Sequence, residues 1–267
     1  MSGNTKTLKL RIKSVDSTLH LTKAMGLVAS SKMRKANIAM NAGREYKSAA
    51  EDVVNLLSVS NECKNSPYMR ERIGEKTCLV VIAGDRGLAG GYNANVFRTV
   101  RDFGEAEIIP IGKRACERFG KPVVSSEKFY AADAFKIAQE LCDRFKNGEF
   151  DRIGIVTTNY ISMMTQTPEI KWILPLKKGE KAQNKAVVFE PDELTILDVA
   201  VPEYVSGVIA ACVKESFASE VAARRMAMDS AGKNAQQMID ELQLEYNRAR
   251  QGAITQEITE IVAGAGN

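Results

Sequence analysis

Each end of the chain repeats small or apolar residues at alternating steps of four and three. An average step of 3.5 residues is the spacing of a coiled-coil seam, along which one helix packs against another. The first proline of the chain is Pro67, so no proline breaks a helix in the N-terminal stretch. The repeating positions there are Leu8, Ile12, Val15, Leu19, Thr22, Gly26, Ala29, Met33, Ala36, Met40 and Gly43. After one charged position, Lys47, the same register resumes at Ala50, Val54 and Leu57.

The C-terminal stretch has the same spacing and contains no proline after Pro202, which predicts a continuous helix from Glu203 to Val262. Its repeating positions are Met228, Gly232, Ala235, Ile239, Leu242, Tyr246, Ala249 and Ala253. Because many of them are Gly or Ala, they favour the close pairing of two helices. If the two seams pair with each other, the helices run antiparallel within one molecule. A homodimer through either seam is the alternative.

The residues between the seams alternate between strand and helix patterns. Five segments carry this alternation: predicted strands TCLVVIA (77–83), EAEIIPIG (105–112) and FDRIGIVTT (150–158), with predicted helices ANVFRTVRDF (94–103) and DAFKIAQELCDRFK (133–146). Such alternation indicates an α/β unit with a parallel sheet. KWILPL (171–176) and AVVFEP (186–191) are interpreted as a closing hairpin or as edge strands.

The predicted fold class is therefore α/β, with a central Rossmann-like domain and a long antiparallel coiled coil of the terminal helices. The predicted division is 1–62 for the N-terminal helix, 76–192 for the α/β domain and 203–267 for the C-terminal helix.

The segment GDRGLAGGYN (84–93) follows the first predicted strand, a position where many proteins hold a phosphate. Its glycines are Gly84, Gly87, Gly90 and Gly91. Their spacing does not match G-x-G-x-x-G, and Tyr92 and Asn93 stand where a P-loop needs Lys followed by Ser or Thr. A tight backbone path, with close packing and positive φ, is the favoured explanation of these glycines. A nucleotide-dependent α/β enzyme is the alternative.

The positive charge is concentrated near the N-terminus. Residues 1–47 contain ten Lys or Arg against Asp16 and Glu45, although the net charge of the chain is only +4. Such a basic arm suits nucleic acid, an anionic membrane surface or an acidic protein. Because no aromatic residues interleave with its basic triplet (Lys32, Arg34 and Lys35), the arm is a weak match to single-strand nucleic acid binding. A coiled-coil nucleic acid binder nevertheless remains an alternative.

Metal, disulfide and membrane-spanning signals are weak. The five cysteines form no CxxC pair, and the single histidine, His20, has no Cys or His neighbour. We therefore expect buried reduced thiols and no metal site. No window holds about 18 uninterrupted apolar residues, so membrane contact is expected only through partners.

Three segments resemble the gamma subunit of bacterial F-type ATP synthases, and the resemblance extends from end to end of the chain. They are RIKSVDSTLHLTKAMGLVASSKMRKA (11–36), GDRGLAGGYN (84–93) and YNRARQGAITQEITEIV (246–262). The resemblance implies that the terminal helices form a rotor shaft inside a ring of alpha and beta subunits. The middle domain would be a foot that meets the epsilon subunit and the membrane ring of c subunits. The glycine loop would then belong to the fold of the foot and bind no nucleotide.

The resemblance also implies roles for particular residues. Arg250, Gln251 and Thr255 match positions that touch loops of the surrounding ring. The positions that match the shaft face near an acidic lever loop of the beta subunit are Met25, Lys32, Arg34 and Lys35. Tyr204 matches a foot residue near the membrane ring.

As a whole, the resemblance implies a non-catalytic subunit without a cofactor or metal, present once per complex and without a nucleic acid partner. Its place would be the cytoplasmic side of the bacterial cell membrane, as a peripheral protein that transmits torque between ion flow and ATP synthesis or hydrolysis. Gly26 and Gly252 depart from the family pattern, and each could cost up to about 1 kcal/mol of helix stability.

Overall fold

The computed structural model describes residues 2–72, 74–179 and 189–265. The described residues form two compact units. One contains residues up to Ser30 together with those from Arg224 onward, and the other contains Ser31–Ala223. Two long helices contribute to both units: α1, Ser2–Ser58, and α5, Glu193–Ala265.

In the first unit, α1 and α5 pack along their predicted seams. Leu19 clusters with Ala235 and Ile239, and a Cβ on Gly26 would meet Met228 at 3.7 Å. As the residue number rises along α1 from Leu19 to Gly26, the number of the contacted residue on α5 falls from Ala235 and Ile239 to Met228. The pairing is therefore antiparallel. Every predicted seam position of this unit is buried or half-buried. The structure therefore confirms the seams and their pairing within one molecule.

The second unit contains a four-stranded sheet. Its strands are β1 (Thr77–Ile82), β2 (Glu107–Ile111), β3 (Arg152–Tyr160) and β4 (Gln166–Leu174). The spatial order is β2-β1-β3-β4, with β1 parallel to both β2 and β3, and β4 antiparallel to β3. Val80 of β1 faces Ile109 on one side and Ile155 on the other. The strand order thus reverses direction between β1 and β3, as in doubly wound folds.

Helices cover both faces of this sheet. They are α2 (Tyr92–Phe103), α3 (Lys113–Phe119), α4 (Ala131–Lys146) and the first part of α5, and a short 3₁₀ helix (Glu62–Asn65) follows α1. Cys78 and Val80 of β1 point into a core shared with α4, α5 and the end of α1. Leu79 and Val81 point into a second core shared with α2 and α3. The continuous burial of β1 follows from its central position, because both of its faces are covered.

Helix α5 begins at Glu193, ten residues before the start predicted from Pro202, which lies inside the helix. A proline inside a helix removes one backbone hydrogen bond and costs about 3 kcal/mol. Burial offsets that cost, because Leu197, Val201 and Val205 on either side of the proline are fully buried in the larger core. The helix start is stabilised by Asp192, whose carboxylate accepts a hydrogen bond from the backbone N–H of Thr195 at 2.8 Å.

The closing strands also differ from the prediction. KWILPL contributes to β4, which begins earlier, at Gln166, and pairs with β3. Residues 186–188 of the predicted strand AVVFEP lie outside the described residues, and 189–191 have no regular structure. Helix α3 was not predicted.

One helix of the described part, α5, is long and apolar enough in one 18-residue window to cross a membrane, with a mean hydropathy of 1.7. More than half of that window is buried inside the protein. Burial of this kind is expected of the core helix of a domain, and the N-terminal part of α5 packs in the larger core. All five cysteines are free and buried, as predicted.

Candidate functional site

The carboxyl ends of β1 and β3 form the place where an open α/β sheet usually binds its ligand. The loop GDRGLAGGYN follows β1 at this edge, and the polar residues Thr157 and Thr158 lie near the end of β3. We call this place the strand-end crevice. Its contents decide whether the glycine loop can hold a phosphate.

The carboxylate of Asp85 takes up the hydrogen-bond donors around the glycine loop. It accepts from the backbone N–H groups of Lys113 at 3.0 Å, Ser126 at 2.9 Å and Glu127 at 3.2 Å. The hydroxyl groups of Ser125 and Ser126 donate to the same carboxylate. Backbone N–H groups that converge in this way are typical of an anion site. Here the anion is a side chain of the loop itself.

The electrostatics of Asp85 agree with this role. Burial raises the pKa of Asp85, but the hydrogen bonds from Ser125 and from the backbone of Lys113, Ser126 and Glu127 outweigh it. The net effect is a pKa below the ordinary range of an aspartate, because these bonds stabilise the charged form. Asp85 is therefore an ionised carboxylate held by neutral hydrogen-bond donors at neutral pH.

The glycines of the loop serve close packing and backbone geometry. Gly84 donates its N–H to Oδ1 of Asn93 at 2.9 Å, and a Cβ on Gly84 would lie only 2.5 Å from the carboxyl carbon of Glu220 on α5. Gly90 has a φ of +57°, and Leu88, two residues earlier, has a φ of +60°. A Cβ on Gly87 would meet only the end of the Arg114 side chain, at 3.5 Å, without a positive φ. The expectation that Gly87 needs a positive φ is therefore wrong.

Helix α5 fills the strand-end crevice. The hydroxyl of Tyr92 donates to the carbonyl of Ser216 at 2.9 Å, and the backbone N–H of Thr158 donates to the Ser216 hydroxyl at 3.2 Å. The Ser219 hydroxyl donates to the carbonyl of Thr158 at 3.3 Å. The glycine loop thus packs on a helix of its own chain at the place where a related fold would hold a nucleotide.

The three predicted ring-contact residues near the end of α5 are exposed. Arg250, Gln251 and Thr255 all lie on this part of the helix, where their side chains are available to a partner. Met25 on α1 is half-buried. The structure thus leaves the three polar residues open to contact, and Met25 only in part.

The three residues of the basic triplet differ in exposure. Lys32 is half-buried and forms an ion pair with Glu127, which also lies 3.5 Å from Arg86. Arg34 and Lys35 are exposed. Lys32 is therefore already engaged within the chain, whereas Arg34 and Lys35 present their charge to the solvent.

Tyr204, the predicted foot residue, lies on α5 against the larger core and is half-buried. Burial raises its pKa to about 12, and the nearby charge of Glu51 adds to the shift. Tyr204 is therefore a neutral phenol at physiological pH, with part of its surface still accessible.

Sequence reasoning missed an apolar stripe at the end of α5. Ile254, Ile258, Ile261 and Val262 follow helical spacing and are between 45% and 70% exposed. Their helical spacing is visible in the sequence, but these residues lie beyond Ala253, where the predicted seam ends. Since large exposed apolar patches mark interaction sites, this stripe indicates a partner.

Metal chemistry has no support in the described residues, where no group of three or more His, Cys, Asp or Glu could hold an ion. His20 is exposed and lies 3.7 Å from Asp16, one turn earlier on α1. This histidine is therefore a surface residue.

Comparison with known proteins gives close relatives over the whole chain. The profile of a family described as ATP synthase matches residues 4–266. The ATP synthase gamma chain of Ruminococcus albus is 42% identical, with 99% of each chain covered. The sodium-ion-specific ATP synthase gamma chain of Acetobacterium woodii is 37% identical, again with 99% of each chain covered. The ATP synthase gamma chain of Desulforamulus reducens is 36% identical over 98% of each.

Solved structures share the fold at lower identity. A chain in the rotor of the Euglena gracilis mitochondrial ATP synthase has a TM-score of 0.66 at 17% identity, covering 95% of this chain and 100% of that one. A chain from a second structure of that enzyme, of the OSCP/F1/c-ring part, has a TM-score of 0.70 at 17% identity, covering 98% and 94%. A chain of the Tetrahymena thermophila central stalk and c-ring has a TM-score of 0.60 at 19% identity, covering 79% and 99%.

Proposed function

This chain belongs to the ATP synthase gamma chain family, and from that premise we infer that it turns as the central-stalk rotor of an F-type ATP synthase. It transmits torque between the c-ring in the membrane and the catalytic ring of alpha and beta subunits. Rotation couples ion flow to ATP synthesis or hydrolysis. One copy serves each complex, because a single shaft with unequal faces holds the three catalytic sites in different states.

The end of α5 carries the proposal. Its seam residues are buried or half-buried up to Ala253, and beyond them the apolar stripe from Ile254 to Val262 is exposed to solvent. Exposed isoleucines at helical spacing favour enclosure by a partner surface. In the complex this partner is the ring of alpha and beta subunits, which surrounds the shaft.

Polar residues on the same helix and on α1 make the specific contacts with the ring. Arg250, Gln251 and Thr255 are exposed beside the apolar stripe and bind loops of the ring. Arg34 and Lys35 present positive charge to an acidic loop of the beta subunit. Met25 and Lys32 lie in the same part of α1, and Lys32 shares its charge with Glu127.

The foot connects the shaft to the membrane part of the enzyme. The α/β domain within residues 76–192, with Tyr204 on the adjoining part of α5, contacts the epsilon subunit and the c-ring. The chain is a peripheral protein on the cytoplasmic side of the bacterial cell membrane and reaches the membrane through these partners. The segments 1–62 and 203–267 correspond to the two shaft helices, and the segment 76–192 corresponds to the foot.

The subunit itself performs no catalysis, needs no cofactor and binds no nucleic acid. Support comes from the strand-end crevice, where Asp85 and α5 occupy the positions that a nucleotide phosphate would need. The nucleotide sites belong to the alpha and beta subunits.

The deciding experiment is reconstitution with alpha and beta subunits, followed by a measurement of ATP turnover. We expect the wild-type chain to support turnover and the triple variant Arg250→Ala, Gln251→Ala, Thr255→Ala to lower it. A hydrogen bond to a charged group is worth about 1.5–3 kcal/mol, so each lost contact corresponds to roughly a tenfold effect or more.

The matched control is Arg101→Ala, which removes one exposed charge from α2 in the foot. Turnover with this variant should equal that of the wild-type chain. If the triple variant also matches the wild type, these three residues are not needed for coupling. If the wild-type chain supports no turnover, the proposed function is wrong.

A further inference from the structure

A charged cluster joins both long helices to the sheet within the larger unit. Its centre is Glu215 of α5, which is only 6% exposed. Arg44 of α1 donates from Nη2 to Oε1 of Glu215 at 2.5 Å and to the carbonyl of Tyr160 at 3.0 Å. The backbone N–H of Tyr160, the last residue of β3, donates to the same Oε1 at 3.2 Å.

A second cation completes the cluster from the neighbouring strand. Nζ of Lys171 on β4 lies 3.6 Å from Oε2 of Glu215 and 3.1 Å from Glu169. One buried carboxylate therefore contacts α1, β3 and β4 from its position on α5. We call these residues, Arg44, Tyr160, Lys171 and Glu215, the clasp.

The carboxylate at the centre of the clasp is ionised. Burial raises the pKa of Glu215, but the hydrogen bond from Arg44 and the charge of Lys171 outweigh it and lower the pKa below the ordinary value. A buried charge with several directed partners is costly to displace, because the separated charges would lose their compensation. The clasp therefore has one strongly preferred geometry.

Directed contacts of this kind resist sliding better than apolar packing does. Apolar burial is non-directional, and packed helices can slide past one another by small amounts. Next to the clasp, one contact between the helices is between small residues, Gly43 of α1 and Ala211 of α5. A charge-assisted hydrogen bond is lost when its atoms move by about 1 Å.

We propose that Arg44 and Glu215 are positioning residues that keep α1 and α5 in register with the sheet while torque passes between the foot and the shaft helices. This inference rests on the proposed function. A second ion-paired contact supports it independently, because Lys32 of α1 pairs with Glu127 in the segment between α3 and α4. That segment is in turn held by Asp85.

The test compares ATP hydrolysis with ATP synthesis in the complete complex, reconstituted in vesicles. Hydrolysis without an ion gradient turns the shaft against little load, whereas synthesis under an imposed gradient turns it against the full load of the catalytic sites. We expect Arg44→Gln to keep hydrolysis within about twofold and to lower synthesis about tenfold, the effect of one charge-assisted hydrogen bond. Arg44→Lys, which keeps the charge, should restore most of the synthesis.

The matched control is Arg144→Gln. Arg144 forms two hydrogen bonds with Glu107 of β2, at 2.8 and 2.9 Å. It forms a third, at 2.7 Å, with Glu149 in the turn after α4. This substitution should lower thermal stability as Arg44→Gln does, yet leave the ratio of synthesis to hydrolysis unchanged. A purely structural role for Arg44 would make the two variants behave alike, which would overturn the proposal.

Two further results are decisive. If Arg44→Gln prevents assembly, Lys171→Gln removes the other cation, and an unchanged ratio in that variant contradicts the proposal. If the wild-type chain supports no turnover with alpha and beta subunits, the proposed function fails before the clasp is tested.

Discussion

At the scale of single residues, the acidic residue of the glycine loop matters more than most of its glycines. Asp85 gathers donors from the start of α3 and from residues 125–127, so one carboxylate ties together three segments. Gly84 is needed for close packing on Glu220, and Gly90 for its positive φ. Gly87 meets neither requirement.

The first prediction concerns Asp85→Asn. At neutral pH this variant should be less stable than the wild type by about 2–3 kcal/mol, because its neutral amide loses charge-assisted hydrogen bonds. The folded-state pKa of Asp85 lies below its unfolded value, so its stabilisation is present above about pH 4 and is lost as the pH falls through the folded value. Denaturant titrations should therefore show the gap between the two proteins closing below about pH 4.

Asp102→Asn is the control for that series, because Asp102 is exposed and forms an ion pair with the adjacent Arg101. Its effect at pH 7 should stay within about 0.5 kcal/mol. A gap in stability between wild type and Asp85→Asn that keeps its size at every pH would contradict the ionised state assigned to Asp85.

At the scale of elements, the seams explain both long helices better than helix propensity does. The repeating residues are buried or half-buried along both helices, including the positions occupied by glycine. A Cβ on Gly26 would make only an ordinary contact with Met228, so this departure from the family pattern is not required for space. Packing against the core also stabilises α5 on both sides of Pro202, so the helix continues past this proline.

The second prediction tests the register of the seam. Leu242→Asp should reduce helix content and the unfolding temperature, because it removes a buried apolar side chain and buries a charge without a partner. The expected loss is about 3 kcal/mol or more. Circular dichroism during thermal unfolding measures both quantities.

Gln236→Lys is the matched change on the exposed face of the same helix, where Gln236 hydrogen-bonds to Asp240 at 3.1 Å. A lysine there can pair with Asp240, so the stability should change by no more than about 0.5 kcal/mol. Equal losses from the two substitutions would show that the assigned register is wrong.

At the scale of the whole molecule, the fold is of a type that often binds nucleotides, but its strand-end crevice contains helix α5. The sheet order reverses between β1 and β3, where related folds bind their ligands, and α5 lies there with Ser216, Ser219 and Glu220. The strand-end crevice is therefore occupied by a helix of the same chain.

The third prediction is that the isolated chain binds no Mg-ATP. The loop lacks the lysine and the hydroxyl residue of a P-loop, and the neighbouring backbone N–H groups of Lys113 and Ser126 already donate to Asp85. Isothermal titration calorimetry of the pure chain should give only heats of dilution. Saturable micromolar binding that disappears in Gly90→Val, with an unchanged circular dichroism spectrum, would mean that the glycines serve a nucleotide.

Much of the fold was predictable because its signals are local. The heptad spacing from Leu8 to Leu57 and from Met228 to Ala253 specifies which face of each helix is buried, whatever the partner. The three parallel strands and two of their helices follow equally from short-range patterns. The exposed trio Arg250, Gln251 and Thr255 was found through resemblance, whereas the apolar stripe beside it was recognised only from the exposure of its side chains in the structure.

The sequence by itself determined the helical seams, the α/β alternation and the absence of phosphate-binding spacing, because periodicity and motif spacing are written along the chain. Only the tertiary structure decided what Asp85 binds, that Lys32 meets Glu127, and that Arg44 and Lys171 converge on Glu215. These partners lie tens of residues or more apart in sequence. Their meeting depends on which strands become neighbours and where α5 crosses the sheet, and that is settled by packing of the whole unit.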